Sequence, residues 1–200
     1  RIDGLIISVS NETKKGTHLA ELIDKGVPVV MFDRICDEID TPRVVTDDAG
    51  GAYDATCHLA EQGYRRIAHV TMAPYLSVTK NRMKGYVNAL KKHKIPIEKK
   101  WIVHCDFDFG NIKKALHKLL KTTPKPNAIL VSSERIAIDC FEVLKEMKLR
   151  IPADIAMVGF FDNPVCRFID PSLTAVHQPT FDIGQSAARL LINMIEHNAL

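Results

Sequence analysis

Short, continuous apolar runs alternate along this chain with stretches of helical period. Residues 2–9 (IDGLIISV), 27–32 (VPVVMF), 128–131 (AILV) and 155–160 (IAMVGF) are apolar at nearly every position, and 67–71 (IAHVT) is mostly so. Such runs belong to strands buried on both faces of a parallel sheet. Residues 43–46, 101–105 and 173–176 read as shorter strands. Between these lie predicted helices. The first covers 17–25, with Leu19, Leu22 and Ile23 on one side and Gly26 as its stop, and the second runs from Asp47 to about 62 and stops at Gly63. The third covers 79–92, with the stripe Met83, Tyr86, Val87 and Leu90, and the fourth 111–121, with Ile112, Ala115, Leu116 and Leu119 inward. Residues 133–147 and 182–196 complete the set, the last with Ile183, Ala187, Leu190, Leu191 and Met194 as its core stripe. Regular alternation of buried runs and amphipathic helices predicts an α/β fold with parallel sheets.

In open α/β sheets, ligands bind just outside the carboxyl ends of the strands. Phe161 and Asp162 follow the run at 155–160 and Gln178 follows the run at 173–176, so these three stand in ligand-facing positions if the sheet is as predicted, and the run at 27–32 likewise delivers the charged Asp33 and Arg34 at its end.

The remaining composition narrows the classes of function. With 200 residues, 46% of them hydrophobic, the chain can bury about 70% of its unfolded surface. A net charge of +3, from 27 basic and 24 acidic residues, is too small to imply a polyanion partner, and the lysines concentrated between Lys80 and Lys125 read as solvated helix faces. Five cysteines without a short-spaced pair indicate neither a zinc cluster nor a complete disulfide framework, which fits a reducing compartment. No run is long enough to span a membrane. The chain opens on Arg1 without an initiator methionine and reads as a fragment or a processed chain.

Enzyme chemistry finds little footing. There is no phosphate-binding glycine loop and no GxSxG elbow. Asp108-Phe109-Gly110 matches a kinase triplet without the other kinase elements, and His18 with Glu21 lacks a third metal ligand. No cofactor is expected.

The segment IPADIAMVGFFDN, followed by DPSLTAVHQP, resembles the signature of the lactose-repressor and galactose-repressor (LacI/GalR) family of bacterial transcription regulators in its effector-binding core. IDGLIIS, GVPVVMFDR, VTDDAGGAYDATCHLAEQGYRRIAHV, NRMKGYVNALKKHKIP and AILVSSERIAIDCFEVLKEM are similar to further family segments, in the family's order and spacing, so that the resemblance covers essentially the whole chain. It implies two Rossmann-like lobes with parallel sheets, of the type I periplasmic-binding-protein-like fold, with the first lobe incomplete. Residues 1–47 with 178–200 would form the N-terminal lobe, and residues 48–177 the C-terminal lobe. It further implies a small polar effector, often a sugar, held in a cleft, and a cytoplasmic homodimer that meets DNA only through a helix-turn-helix headpiece absent from this sequence. A periplasmic sugar-binding protein of a transport system is the rival reading.

The same resemblance assigns site residues. Arg82 would bind ligand oxygens through its guanidinium fork, and Asp33, beside Arg34, would accept hydrogen bonds from sugar hydroxyls. Ser133 and Glu134 stand where the family usually has Asn-Asp, although Ser133 also suits a helix N-cap. Asp47 suits a hinge or cap. Phe161 occupies the position where the family places a ligand-binding aspartate, with Asp162 one residue later. Either Phe161 stacks on an apolar sugar face, or a bulge returns Asp162 to the cleft, or Phe161 is core packing. Replacement of Arg82 by alanine is expected to weaken ligand binding while leaving the fold intact.

Overall fold

The computed structural model describes residues 2–106, 108–160 and 170–198. In chain order the elements are β1 (Leu5–Ile7), α1 (Thr17–Asp24), β2 (Val29–Phe32), β3 (Arg43–Val44), α2 (Asp48–Glu61), β4 (Ile67–Thr71) and α3 (Ser77–Lys92). A 3-10 turn (Lys99–Trp101) then leads into β5 (Ile102–His104), α4 (Phe109–Leu120), β6 (Ala128–Val131), α5 (Glu134–Glu146), β7 (Ala156–Gly159), β8 (Thr174–Ala175) and α6 (Thr180–Asn198). The fold is α/β with two parallel sheets, of order β1-β2-β3 and β5-β4-β6-β7-β8.

The chain divides into two compact units. Arg1–Asp47, Tyr75–Val78 and Pro179–Leu200 form unit 1, and Asp48–Pro74 with Thr79–Gln178 forms unit 2. In unit 2, the central strands β4, β6 and β7 are buried at every position, as their unbroken apolar runs require. Their registers, Val70 opposite Val131 and Val131 opposite Gly159, align the carboxyl ends of the three strands. Ala52, Ala55 and Leu59 of α2 and Tyr86 and Leu90 of α3 pack with Ile67, Leu130 and Val158 in one core.

In unit 1, Leu19, Met31 and Ile39 anchor a smaller core, and Leu5, Ile7 and Ile23 pack partly against it. Helix α6 lies against β2, β1 and β3. Of its predicted core stripe only Ala187 is buried, Leu190 is 36% exposed, and Phe181 and Ile192 also face outward. Three short strands cover less than the helix's whole apolar surface.

Four helices close in the same way. At each, the residue after the last turn has positive φ, its N–H bonds the carbonyl three residues back, and the next N–H bonds the carbonyl five residues back. The positive-φ position is Gly26 after α1, Gly63 after α2, Lys94 after α3 and Lys148 after α5, followed by the apolar Val27, Tyr64, Ile95 and Leu149. This is the Schellman motif with its hydrophobic follower. Glycine accepts this backbone without strain; the two lysines do not.

Candidate functional site

At the carboxyl end of the unit 2 sheet, one guanidinium ties four segments together. Arg82, in the second turn of α3, donates from Nε to Asp48 Oδ1 at 2.7 Å and places Nη2 2.6 Å from the same oxygen. Its Nη1 donates to the Ser132 carbonyl just past β6, and Cζ stands 3.8 Å from the ring centroid of Phe160, just past β7. Arg82 is 5% exposed and Asp48 4%. Asp48 opens α2, where the helix N-terminus favours a negative charge. The pair therefore has both a partner and a favourable dipole to offset its desolvation.

Several polar atoms on the same strands and helix are buried. Among the described residues, His69 Nε2 and Thr71 Oγ1 on β4, Ser132 Oγ, and Thr79 Oγ1 in the first turn of α3 have no hydrogen-bond partner. Leaving such an atom unpaired costs about 1–3 kcal/mol, so Thr71 Oγ1 and Ser132 Oγ, at the carboxyl ends of β4 and β6, mark a place that a ligand or solvent can complete. The His69 ring hydrogen-bonds through Nδ1 to the Leu130 carbonyl at 3.1 Å and stacks on Tyr86 at 5.1 Å between centroids. Burial, reinforced by the nearby charges of Arg82 and His104 and opposed by the Leu130 bond, lowers its pKa from 6.5 to about 4, so it is neutral at physiological pH.

At the carboxyl end of the unit 1 sheet, Ser8 Oγ donates to Asp33 Oδ2 at 3.4 Å, Arg34 Nε donates to Ser8 Oγ at 3.4 Å, and Arg34 Nη1 donates to Asn11 Oδ1 at 3.0 Å. Arg34 Nε lies 3.6 Å from Asp33 Oδ2, with both side chains partly open to solvent. Asp33 has φ 56, a left-handed backbone that a non-glycine residue holds only where its surroundings impose it, and such residues gather at functional sites. The Tyr75 hydroxyl donates to the Asn11 carbonyl, and Ser77 Oγ accepts from the Ile35 N–H at 3.2 Å, which holds Tyr75–Val78 to this unit.

The other candidates are dispersed. Ser133 is the N-cap of α5, accepting from Ile136 N–H at 3.4 Å, and Glu134 is that helix's first residue. Gln178 is half-buried between β8 and α6. Phe161 and Asp162 lie outside the described residues. Asp47 directly precedes α2. The sequence reading passed over Asp48, Ser132, Phe160 and the unpartnered hydroxyls; the one available signal was the doubled aspartate at the start of a helix. The expectation that Arg82→Ala leaves the fold intact has to be set against the buried Asp48 carboxylate, whose guanidinium partner the change removes.

Among the described residues no group of three or more His, Cys, Asp or Glu could hold a metal ion, and no helix is long and apolar enough to cross a membrane. The sequence profile of the family described as "Periplasmic binding protein-like domain" matches residues 56–200. The chain belongs to that family and has the effector-domain fold of the LacI/GalR regulators. It is 32% identical over 172 residues to the ribose operon repressor of Haemophilus influenzae, an alignment covering 86% of this chain and 52% of that protein. The chain spans about half the length of the curated relatives it matches. A regulatory protein of LacI family from Chloroflexus aggregans superposes with a TM-score of 0.86 at 28% identity, over 98% of this chain and 69% of the other. A LacI family transcriptional regulator from Enterococcus faecium, with bound ribose, gives a TM-score of 0.87 at 28% identity, over 98% of this chain and 72% of the other.

Proposed function

We propose that this chain is the effector-sensing domain of a LacI-type transcription regulator, binding a small polar ligand of the sugar class at the carboxyl ends of its strands. The observation that carries this reading is the set of buried polar atoms, Thr71 Oγ1, Thr79 Oγ1 and Ser132 Oγ, that have no hydrogen-bond partner among the described residues. The ribose held by the Enterococcus faecium relative supports the ligand class. Asp33, Arg34, Arg82, Ser133, Glu134, Phe161, Asp162 and Gln178 are the proposed contact residues. Ligand stabilises one arrangement of the domain over another, and in the longer protein that difference repositions DNA-binding headpieces of a cytoplasmic homodimer.

Calorimetric titration of the chain with D-ribose, D-glucose, cellobiose, adenosine and cytidine tests the reading. At least one should bind with a Kd below about 100 μM, corresponding to roughly 5.5 kcal/mol. Absence of binding by all five at millimolar concentration would remove the sugar and nucleoside class.

A further inference from the structure

At the outer edge of the unit 2 sheet, the fold gathers lysines that the sequence places between 99 and 121. Among the described strands, β5 pairs with β4 alone. Between β5 and α4 runs a groove of about 430 Å³, with Ile102 and Val103 on one wall and Ala115 and Leu119 on the other. Lys99, Lys100 and Lys118 border it, and among the described residues no Asp or Glu lines it. Lys114 and Lys121 stand one turn to either side of Lys118, so the row 114, 118 and 121 shares a helix face. All five lysines are exposed. Lys100 Nζ donates to the Thr123 carbonyl at 3.1 Å, and among the described residues the other four make no ion pair. We propose that this groove docks an acidic segment of a partner protein, which seats an apolar side chain between β5 and α4 and sets its carboxylates on the surrounding lysines. The proposal is independent of the ligand assigned above to the strand ends.

Ordinary causes account for these lysines only in part. Charged side chains beside a short outer strand discourage pairing with another sheet, which covers Lys99 and Lys100. The α4 dipole favours a cation at the helix's carboxyl end, which covers Lys118 and Lys121 taken singly. Lys114 and Lys118 are nonetheless a like-charge i,i+4 pair, which costs the helix stability. Neither cause requires an apolar groove among the lysines. Apolar walls bordered by cations that lack an acidic partner of their own are complementary to an acidic chain with an apolar anchor: the carboxylates meet opposite charge, and the anchor leaves water. A nucleic-acid strand fits less well, because its bases need an aromatic face to stack on. Among the described residues no Phe, Tyr or Trp lines the groove. Trp101, directly before β5, is 4% exposed and has Lys100 Nζ 5.7 Å from its ring centroid.

The probe is a fluorescein-labelled peptide of sequence EEDLEDFDEE, titrated with the chain while its anisotropy is followed, at about 50 mM salt so that surface charges are only moderately screened. Wild type should bind it with a Kd below about 100 μM. Lys118→Glu together with Lys121→Glu should weaken binding at least about tenfold, since two attractions become repulsions. Lys14→Glu together with Lys15→Glu, the same charge change placed on unit 1, should alter it by less than about twofold. A peptide with serine in place of its leucine and phenylalanine should bind at least about threefold more weakly, because the groove then receives no apolar anchor. Circular dichroism verifies each fold, and should K118E with K121E not fold, Lys118→Gln with Lys121→Gln takes its place under the same criteria. Absence of binding by wild type overturns the proposal, as does equal affinity in the variant at 118 and 121, an equal loss in the two charge-reversed pairs, or equal binding of the serine peptide. Displacement of the probe by oligothymidylate of equal charge at a lower concentration than unlabelled peptide requires would assign the patch to nucleic acid, and also overturns it.

Discussion

Gly85 of α3 lies directly against Ala49 of α2: a Cβ at position 85 would stand 2.1 Å from the Ala49 carbonyl oxygen. The backbone nitrogen of Tyr53 and the Cβ of Ala52 would be 2.8 and 2.9 Å away. All three are closer than real Cβ atoms come, and two of them belong to backbone that cannot swing aside. This contact sets the distance between α2 and α3, and thereby the reach of Arg82, three residues earlier, to Asp48.

Gly85→Ala should therefore destabilise the protein although alanine is the better helix former. Relief of the clash by helix displacement costs about 1–3 kcal/mol or more, against about 1 kcal/mol recovered from helix propensity. A lower urea midpoint with an unchanged m-value is the expected result.

Arg82→Ala should cost about 3–5 kcal/mol, the price of leaving a buried carboxylate without its cation. Replacing both members together, as Asp48→Leu with Arg82→Met, should restore most of the loss. Urea denaturation of the two singles and the double measures the coupling. Any affinity lost in Arg82→Ala has to be read against that loss of fold, and a stability equal to wild type in the single variant would contradict the buried pair.

Lys148→Gly and Lys94→Gly should each raise stability by up to about 1 kcal/mol. Each lysine holds a left-handed backbone at a helix end, φ 57 and φ 54 respectively, where glycine bears no Cβ penalty. Part of the gain is offset by the greater freedom of glycine in the unfolded chain. Thermal melts of the single and paired variants should show increments that add, since the two lysines close different helices.

His69 makes the fold acid-sensitive. Its pKa is about 4 folded against 6.5 unfolded, so between these values the unfolded chain binds more protons and stability falls as the pH drops from 6.5 toward 4. The full contribution is about 3 kcal/mol, present above pH 6.5. Comparing urea stability at pH 4.5 and 7.5 in wild type and His69→Gln isolates it: the variant should lose less on acidification.

Several elements were legible because their signals are local. The run at 67–71 coincides with β4, the stop glycines at 26 and 63 are where the sequence reading placed them, and Ser133 caps its helix. The run at 2–9 shortens to Leu5–Ile7, since a strand extends only where its neighbour offers a ladder and β2 begins just after Pro28, which has no N–H to give. The features that organise the candidate site depend on partners far apart in sequence. Arg82 meets Asp48 across 34 residues, and Ser77 and Tyr75 hold their segment to unit 1 through groups 42 and 64 residues away. Periodicity reports which face of a helix is buried and is silent on which charges meet there. Phe161 and Asp162 stand outside the described residues, and the structure leaves their roles as the sequence posed them.

The packing of α6 on β2 has a consequence for how the protein is made. The strand's apolar residues, Val29, Val30 and Met31, leave the ribosome about 150 residues before the helix that covers them, while unit 2 is built almost entirely from the stretch in between. Unit 2 can therefore consolidate first, and in doing so it draws the two ends of unit 1 toward one another, cutting the loop entropy of their closure. On the growing chain, β1, β2 and β3 emerge well before α6, and they wait through the synthesis of unit 2 in need of protection from wrong partners.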